Sequence, residues 1–482
     1  MDLIQDFEFF HGYIDQKESR GILPEAGDYL LRYYFKNSNN SDKRDYVCVL
    51  SVAERPSIIG DSGKRIRSIG ISSVNGAFTL SGHSEPFPTI RVMIDSFVAT
   101  KKPVIDQVIL IRPVPRQAWA LLKNDIDIPQ PETILGKGSF GTVLKGKLKK
   151  VDLDVAIKRL NEQATEGIFT EALQEARTMR AFEHNNVIRV YGVVIESLPL
   201  MLVMELIDGN SLSKVLRGRT LPNGYRMSIV AGLMYGLAFI HDRGYIHRDI
   251  AARNVLISMD WQQIKLIDFG LSRLGPTYSI QSYQKIPTKW LSPEVCREGL
   301  FSIKSDVWAF AVTCWEIYND GAEPYPNLKN AEVRAVLLEH DKFDEVRLNL
   351  RTCSGEEKPP QGFHECIRLL FEYNHKKRID SVKMVPVFEQ TVFNKLVGME
   401  ADMVKAQTQR GQFQPKTPPP AAHPNRMANP RCITPTREAA RCVTPTREAA
   451  RCITPTRGGR TKRSSSAKPT GEKVKTTRRK KG

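Results

Sequence analysis

The feature that most restricts the fold of this chain is a change of hydrophobic pattern within residues 132–393. The block opens with strand-like alternation over 151–157. It then becomes helical, because apolar residues recur every three or four positions over 169–179 and again over 227–240. Strands that precede helices along the chain predict a strand-rich lobe followed by a helical lobe.

The preceding residues, 9–112, show short alternating runs. Two of them, 29–34 and 46–52, read as strands, and the polar stretch 36–44 between them predicts a hairpin loop. We therefore expect a small α+β domain there. Four prolines at 113, 115, 129 and 131 predict a linker over 113–131.

The last part of the chain has a different composition. The 482 residues carry a net charge of +18. Residues 396–482 hold 20 basic and 5 acidic residues, so that segment carries +15 and the remainder only +3. A ten-residue repeat starts at Arg431, recurs at Arg441 and is truncated after Arg451. Each repeat offers little apolar surface, so 394–482 is predicted to be a disordered basic tail.

The tail offers two kinds of candidate site. Thr434, Thr444 and Thr454 each precede proline and are candidates for proline-directed phosphorylation. The basic stretch 460–481 is a candidate for binding acidic lipid, nucleic acid or a nuclear import receptor. The alternative is a solvated tail without a partner.

Composition also bears on location. The eight cysteines include no C-x-x-C pair, which favours a reducing interior over a disulfide framework or zinc site. The N-terminus lacks a signal-peptide pattern, Asp2 excludes N-myristoylation, and no apolar run is long enough to span a membrane. We expect a cytoplasmic protein, with the plasma-membrane surface or the nucleus as alternatives.

A glycine-rich segment is the first motif with chemical meaning. Glycines let backbone N–H groups approach phosphate oxygens. The segment consists of Gly136, Lys137, Gly138, Ser139, Phe140, Gly141, Thr142 and Val143. A second alternating run follows it, so we expect a hairpin, not the helix of a dinucleotide-binding fold. The alternative is an ordinary glycine turn.

A lysine follows on the next predicted strand, 155–158. A carboxylate from the predicted helix 169–179 could hold the Lys158 ammonium against nucleotide phosphates. Glu175 is the preferred partner and Glu171 the alternative. A solvated lysine without a role is the other interpretation.

The segment 247–254, His-Arg-Asp-Ile-Ala-Ala-Arg-Asn, is the most informative in the chain. Asp249 could orient an attacking hydroxyl and accept its proton, and Asn254 could reach a divalent metal ion. Asp268 follows the predicted strand 264–267 and would supply a second metal ligand. A buried salt bridge and a simple turn are the structural alternatives, but the order of the motifs indicates phosphoryl transfer.

With these motifs in order, residues 132–393 resemble a protein kinase. Ala251 and Arg253, together with the segment 286–294, resemble tyrosine kinases more than serine/threonine kinases. The resemblance implies ATP and Mg²⁺ as cofactors and protein tyrosine as substrate. It implies catalytic roles for Arg253 beside Asp249, Lys158 and Glu175.

The same resemblance implies further roles. It places Leu135, Ala156, Glu205 and Leu206 at the nucleotide, next to a gatekeeper Met204. It makes Tyr278, or alternatively Tyr283, an activation-loop phosphorylation site that pairs with Arg248. It also implies that Asp306 anchors the catalytic loop and that Arg378 pairs with Glu294.

Residues 9–112 resemble an SH2 domain. The resemblance rests on His11-Gly12 and on the segments 30–32, 78–82 and 87–90. The resemblance implies that Arg32 grips phosphotyrosine of partner proteins through a bidentate contact. Gln16 departs from the usual arginine of the pocket, and a later histidine is replaced at Arg67 or Ser68.

An SH2 domain followed by a kinase resembles the Fes/Fer family of cytoplasmic tyrosine kinases. The predicted fold is α+β: an SH2 domain, a bilobal kinase fold and a disordered basic tail. The predicted function is that of an ATP-dependent non-receptor protein tyrosine kinase. A pseudokinase scaffold is the alternative, disfavoured because every motif residue is present. A serine/threonine or dual-specificity kinase is disfavoured by Ala251 and Arg253.

Overall fold

The computed structural model of this protein describes residues 7–36, 45–54, 65–138, 141–160, 176, 178–180, 182–196, 199–217, 219–280, 287–341, 343, 348 and 359–411. These residues belong to one compact unit within Met1–Asn425. The tail candidates at Thr434, Thr444, Thr454 and 460–481 lie outside the described residues. Over the described ranges, every helix is too short or too polar to cross a membrane.

The chain up to Pro113 is built around one six-stranded sheet. Its strands are β1 Phe10–Tyr13, β2 Asp28–Lys36, β3 Asp45–Glu54, β4 Arg65–Val74, β5 Ala77–Leu80 and β6 Arg112–Pro113. Strands β2 to β5 pair antiparallel in chain order, whereas β1 and β6 pair parallel with β2. The helices Gln16–Ile22 and Ile90–Thr100 belong to the same part of the chain. The predicted hairpin is confirmed, because β2 and β3 are antiparallel neighbours.

Strand β2 is buried on both faces. Tyr29 and Leu31 pack in one core cluster with Phe97 of the second helix. Leu30 and Arg32 alternate with them and point to the opposite face, where they are 0% and 1% exposed. The position of Arg32 in an apolar run is therefore a consequence of a strand that is covered on both sides.

The segment 113–131 is more than the predicted linker. It contributes the strands β7 Ala120–Leu121 and β8 Ile126–Asp127 to the next sheet. That sheet also contains β9 Ile134–Gly138, β10 Gly141–Leu148, β11 Leu153–Leu160, β12 Val190–Val194 and β13 Met201–Glu205. The strand order is β7-β12-β13-β11-β10-β8, with β9 also paired to β10. Strands of two residues have no alternation to detect, and the flanking prolines suggested only a connection.

A helical part follows this sheet, as predicted. Its helices are Leu212–Leu216, Asn223–Asp242, Pro293–Glu298, Ile303–Tyr318, Asn330–Leu338, Phe363–Leu370, Ser381–Thr391 and Gly398–Gly411. Helix Asn223–Asp242 contains the predicted stripe of 227–240 and is buried at most of its positions. Of the predicted helix 169–179, residues 176, 178 and 179 are described and helical, and the remainder lies outside the described residues.

Short strands connect these helices and carry the loops of the site. They are β14 Gly209–Ser211, β15 Tyr245–Ile246, β16 Val255–Ser258, β17 Ile264–Leu266, β18 Arg273–Leu274, β19 Thr277–Ser279 and β20 Leu300–Ser302. They form three small sheets, β14-β16-β17, β15-β18 and β19-β20.

The prediction of disorder from residue 394 is wrong for the first part of the tail. Residues Gly398–Gly411 form a helix that packs against helix Asn223–Asp242. Its inward side carries Glu400, Val404, Gln407 and Thr408, which follow helical spacing. Three of these four residues are polar, so a search for hydrophobic periodicity does not find the helix.

Candidate active site

Asp306 holds the loop that contains the predicted catalytic residues. Its Oδ2 accepts the N–H of His247 at 2.6 Å, and its Oδ1 accepts the N–H of Arg248 at 2.9 Å. His241 contacts the same carboxylate through Nε2 at 3.0 Å. Arg248 has φ +72°, a left-handed conformation that non-glycine residues rarely adopt. The two hydrogen bonds to Asp306 stabilise this turn.

His247 is a buried part of the same loop, not a proton carrier at its surface. Its Nδ1 accepts the N–H of Asp249 at 3.2 Å, so the proton resides on Nε2, which faces the Ile267 carbonyl at 3.3 Å. Burial lowers the pKa of His247 below its ordinary value. The neutral ring therefore serves to fix Asp249.

Asp249 lies between two side-chain donors. Asn254 donates from Nδ2 to Asp249 Oδ2 at 2.7 Å and to the Asp249 carbonyl at 2.8 Å. Arg253 donates to Asp249 Oδ1 through its guanidinium. These contacts fix the orientation of the carboxylate.

Asp268 is brought to the same place by strand β17. The N–H of Ile267 donates to the Asn254 carbonyl at 2.9 Å, which ties the end of the strand to the catalytic loop. Asp268 has φ +65° and points its Oδ1 to within 3.8 Å of Lys158 Nζ. Phe269 is fully buried, with its ring 4.8 Å from that of His247. The predicted residues Lys158, Asp249, Asn254 and Asp268 are thus linked through one set of contacts.

Two of these side chains fit a magnesium ion by their chemistry. Asn254 uses its Nδ2 in two hydrogen bonds, which leaves Oδ1 to face a cation. The Asp268 side chain is 40% exposed and offers carboxylate oxygens. Mg²⁺ prefers oxygen ligands of this kind and commonly takes one or two carboxylates together with substrate phosphates.

The glycine-rich segment forms the predicted hairpin, with β9 antiparallel to β10. A Cβ atom built on Gly136 or Gly138 would meet no atom of the described residues within 4 Å, whereas one on Gly141 would lie 2.1 Å from the Arg159 carbonyl oxygen. The first two glycines therefore leave open space and the third is required by packing. Lys137 pairs with Thr142, and Val143 with Gly136. Ser139 and Phe140 lie outside the described residues.

The remaining nucleotide-site candidates lie on or next to the same sheet. Leu135 in β9 is 43% exposed. Ala156 in β11 is buried and lies opposite Met204 in β13. Glu205 ends β13, with Leu206 directly after it. The N–H of Glu205 donates to the Arg189 carbonyl at 2.9 Å. Glu175, the predicted partner of Lys158, lies outside the described residues.

The sequence did not reveal the role of Glu316. Its Oε2 accepts the N–H of Ala252 at 3.0 Å and the indole N–H of Trp290 at 2.9 Å. The Arg253 guanidinium stacks 4.5 Å from the Trp290 ring. Burial raises the pKa of Glu316 to about 7. Glu316 lies on the same helix as Asp306 but outside every sequence motif, so no local pattern marks it.

Tyr278 contacts the residue predicted to pair with it. The Arg248 guanidinium lies 4.1 Å from the Tyr278 ring and 4.7 Å from the Phe301 ring. The Arg273 guanidinium is 5.5 Å from Tyr278. Burial, with the nearby Arg273 charge, lowers the pKa of Arg248 to about 10. The alternative, Tyr283, lies outside the described residues.

The predicted ion pair of Arg378 and Glu294 is present. Arg378 Nη1 donates to Oε1 at 2.6 Å, and Nη2 donates to Oε2 at 3.0 Å. Both side chains are buried. This bidentate contact joins helix Pro293–Glu298 to the loop before helix Ser381–Thr391.

In the N-terminal part, Arg32 is a buried cation whose described hydrogen-bond acceptors are neutral, with the charge of Asp15 nearby. Its Nε donates to Ser51 Oγ at 2.9 Å, Nη1 to the Ile14 carbonyl at 3.1 Å and Nη2 to Ser68 Oγ at 2.9 Å. Ser68 thus faces Arg32, whereas Arg67 pairs with Asp106. Among the described residues, Arg32 forms no ion pair with a carboxylate.

Comparisons with known proteins agree with this geometry. A family model described as protein tyrosine and serine/threonine kinase matches residues 130–354. The chain is 31% identical to Fer-related kinase 1 of Caenorhabditis elegans, over 70% of this chain and 84% of that protein. It is 29% identical to the transforming protein Fps of Avian sarcoma virus (strain PRCII), over 77% of this chain and 65% of the viral protein. It is 32% identical to tyrosine-protein kinase Fer of Mus musculus, over 69% of this chain and 38% of the mouse protein. The chain therefore spans less than two thirds of the viral and mouse proteins.

Proposed function

This chain belongs to the Fer/Fps family of non-receptor protein tyrosine kinases, and on that premise we propose that it transfers the γ-phosphoryl group of ATP to tyrosine residues of proteins. The family uses ATP and Mg²⁺. The observation that carries the proposal is the convergence of Asp249, Asn254, Asp268 and Lys158, joined by the Asn254–Asp249 and Lys158–Asp268 contacts and by the backbone hydrogen bond from Ile267 to Asn254.

In this proposal the roles of the side chains follow from their contacts. Asp249 orients the tyrosine hydroxyl and accepts its proton as the new bond forms, while Arg253 and Asn254 hold its carboxylate. Lys158 supplies a positive charge to the phosphates. Asn254 and Asp268 hold magnesium, which when bound neutralises charge that develops on the transferred group.

The nucleotide would lie under the glycine hairpin. The open space at Gly136 and Gly138 supports a close approach of phosphate to the backbone. Because the N–H of Glu205 is used by Arg189, we expect adenine to meet the Glu205 carbonyl and Leu206. Leu135, Val143 and Ala156 would cover the ring. Ser139, Phe140 and Glu175 retain their proposed roles from the sequence.

The first prediction tests the chemistry directly. With ATP, Mg²⁺ and a mixed peptide pool, the purified chain should place phosphate on tyrosine. Asp249→Asn should lower kcat by roughly 10²–10⁴-fold, because the proton acceptor is lost. Lys158→Met should also lose activity, because the charge that faces the phosphates is removed. Mass spectrometry of the peptides identifies the acceptor.

Two outcomes would contradict the proposal. Phosphate on serine or threonine alone would remove the tyrosine assignment. No transfer, even from protein phosphorylated at Tyr278, would favour the pseudokinase scaffold.

We propose Tyr278 as the regulatory site, because its phosphate would lie beside the Arg248 and Arg273 guanidinium groups.

We also propose that residues 9–112 act as an SH2 domain that binds phosphotyrosine proteins through Arg32. The described hydrogen bonds of Arg32 all go to neutral groups, and burial lowers the pKa of Arg32 despite the nearby charge of Asp15, so an anion that reached the guanidinium would stabilise it. A phosphate dianion would meet that need, and Ser51 and Ser68 would lie beside it.

The second prediction concerns this pocket. Arg32→Lys should weaken binding of a phosphotyrosine peptide to the full chain by at least roughly tenfold, because lysine cannot form a forked contact. Fluorescence polarisation measures the affinity, and Arg20→Lys, at an exposed arginine, is the control. Equal affinity of wild type and Arg32→Lys would show that the pocket does not bind phosphate through Arg32.

The tail and the location of the protein remain proposals from sequence. The +15 charge of 396–482 supports an acidic partner, whether lipid, nucleic acid or an import receptor. A cytoplasmic location is supported by the cysteine pattern, with the plasma-membrane surface and the nucleus as alternatives.

A further inference from the structure

Helix Gly398–Gly411 lies against helix Asn223–Asp242 and reaches toward the active-site strand. Near its start, Glu400 Oε1 accepts Asn223 Nδ2 at 3.2 Å. A Cβ atom on Gly224 would lie 3.3 Å from Met403 Sδ, so a glycine there permits the close approach. Near its end, Thr408 Oγ1 lies 3.2 Å from the Tyr235 hydroxyl oxygen, whose proton is donated to Glu389 Oε1 at 2.7 Å. The helix is therefore docked at both ends.

Gln407 lies between Glu400 and Thr408 on this helix, and both the oxygen and the nitrogen of its side-chain amide form hydrogen bonds. It is 2% exposed. Its Oε1 accepts Asn186 Nδ2 at 3.0 Å, and its Nε2 donates to the Gln262 carbonyl at 3.1 Å. A buried side chain with two directional contacts has a fixed position.

Asn186 connects Gln407 to strand β17. It is 1% exposed and fits against two glycines of the long helix, because a Cβ atom on Gly232 would lie 2.9 Å from Asn186 Nδ2 and one on Gly236 would lie 2.7 Å from the Asn186 carbonyl oxygen. Asn186 Nδ2 also donates to the Ile264 carbonyl at 3.0 Å, and the Asn186 carbonyl accepts the N–H of Leu266 at 2.9 Å. Asn186 therefore contacts both ends of β17.

Strand β17 leads directly to the proposed metal ligands. Asp268 follows it by two residues, and the N–H of Ile267 is bonded to the Asn254 carbonyl. The contacts Gln407–Asn186–β17 thus end at the two residues proposed to hold magnesium. The links from Gln407 through Asn186 to β17 are hydrogen bonds between buried groups, and the chain itself carries the path from Leu266 to Ile267 and Asp268.

We propose that Gln407 is a positioning residue: through Asn186, helix Gly398–Gly411 fixes the register of strand β17 and with it the placement of Asp268 against Asn254. The significance for catalysis rests on the proposed kinase function, whereas the mechanical link does not. The residues 412–482 follow this helix directly, so the basic tail is joined to a structural support of the active site.

Amide hydrogen exchange of the full chain without nucleotide tests the mechanical link. In Gln407→Ala, the buried side-chain amide of Asn186 loses one of its two acceptors and keeps only the Ile264 carbonyl, so the N–H groups of Leu266 and Ile267 should exchange about tenfold faster than in wild type. Gln407→Glu retains an acceptor for Asn186 and should exchange more slowly than Gln407→Ala. Gln409→Ala, at an exposed glutamine of the same helix, is the matched control and should match wild type.

Three results would overturn the proposal. The first is an exchange rate in Gln407→Ala equal to that of wild type. The second is the same acceleration in Gln409→Ala as in Gln407→Ala, and the third is the same acceleration in Gln407→Glu as in Gln407→Ala. If Gln407→Ala does not fold, Gln407→Glu takes its place in the comparison with wild type. A double variant gives an independent check: Gln407→Ala combined with Asn186→Ala should exchange no faster than Asn186→Ala alone, and additive effects would exclude the route through Asn186.

The catalytic consequence has its own readout. Gln407→Ala should raise the Mg²⁺ concentration for half-maximal tyrosine phosphorylation about threefold or more, with peptide KM unchanged. An unchanged Mg²⁺ requirement beside faster exchange would overturn the positioning role. If wild type transfers no phosphate to tyrosine, the proposed function fails while the exchange results still decide the link.

Discussion

Glu316 shows how one buried side chain can join two parts of an active site. Its Oε2 receives both N–H groups, from Ala252 and Trp290, so Oε1 is the oxygen that can carry a proton. A pKa of about 7, above the ordinary 4.5, means that the folded protein binds this proton more tightly than the unfolded chain. Its stabilising contribution is complete below pH 4.5 and is lost as the pH rises through about 7.

The third prediction follows from the direction in which the Glu316 pKa is shifted. Glu316→Gln keeps a neutral acceptor and cannot ionise, so the variant should gain stability relative to wild type as the pH rises from about 5 to about 8. The gain should reach up to about 3 kcal/mol in unfolding free energy. Urea unfolding at several pH values measures it. A constant difference between the two proteins across this range would show that Glu316 does not titrate there.

At the scale of elements, the β9–β10 hairpin contains glycines with different tasks. The fourth prediction is that Gly141→Ala destabilises the protein by about 1–3 kcal/mol, because its Cβ would overlap the Arg159 carbonyl oxygen. Gly136→Ala should leave the melting temperature near that of wild type and raise KM for ATP, because its Cβ would enter open space. Thermal unfolding and ATP kinetics separate the two effects. Equal melting temperatures for both variants would contradict this division.

The elements also show what sequence can and cannot predict. Helix Asn223–Asp242 and the hairpin of β2 and β3 were predictable because their buried residues are apolar and periodic. The proximity of Asp249, Asn254 and Asp268 was predictable because a local motif surrounds each of them, whereas their chemical roles are proposals. Helix Gly398–Gly411 and the contacts of Glu316 were not, because polar residues form them and their partners are distant in the chain.

Across the whole molecule, the N-terminal part docks on the sheet of the kinase region. The N–H of Tyr13 donates to the Ile195 carbonyl at 3.1 Å, and a Cβ atom on Gly12 would lie 2.1 Å from that oxygen. Arg116 adds a contact from the connecting segment to the Phe10 carbonyl at 3.2 Å. Gly12 has φ +61°, so both its conformation and its surroundings require glycine.

The fifth prediction is that Gly12→Ala separates the two parts without unfolding either. Small-angle scattering should show a larger radius of gyration, and protease should cut within 113–131 more rapidly. Gly76→Ala is the control, since Gly76 also has positive φ, at +80°, but a Cβ there would meet no atom within 4 Å in the part of the chain that the structure describes. Matching scattering curves for Gly12→Ala and wild type would show that the contact is not needed for docking.

The two-residue strands β7 and β8 have a practical consequence for dissecting this protein. They cover β12 and β10, at the two sides of the kinase sheet, yet they precede residue 132. A catalytic fragment that starts at residue 132 would leave backbone N–H and C=O groups of β12 and β10 unpaired. Exposed strand edges of this kind pair with other molecules and promote aggregation. Fragments that start ahead of Trp119 should remain dispersed where shorter ones precipitate.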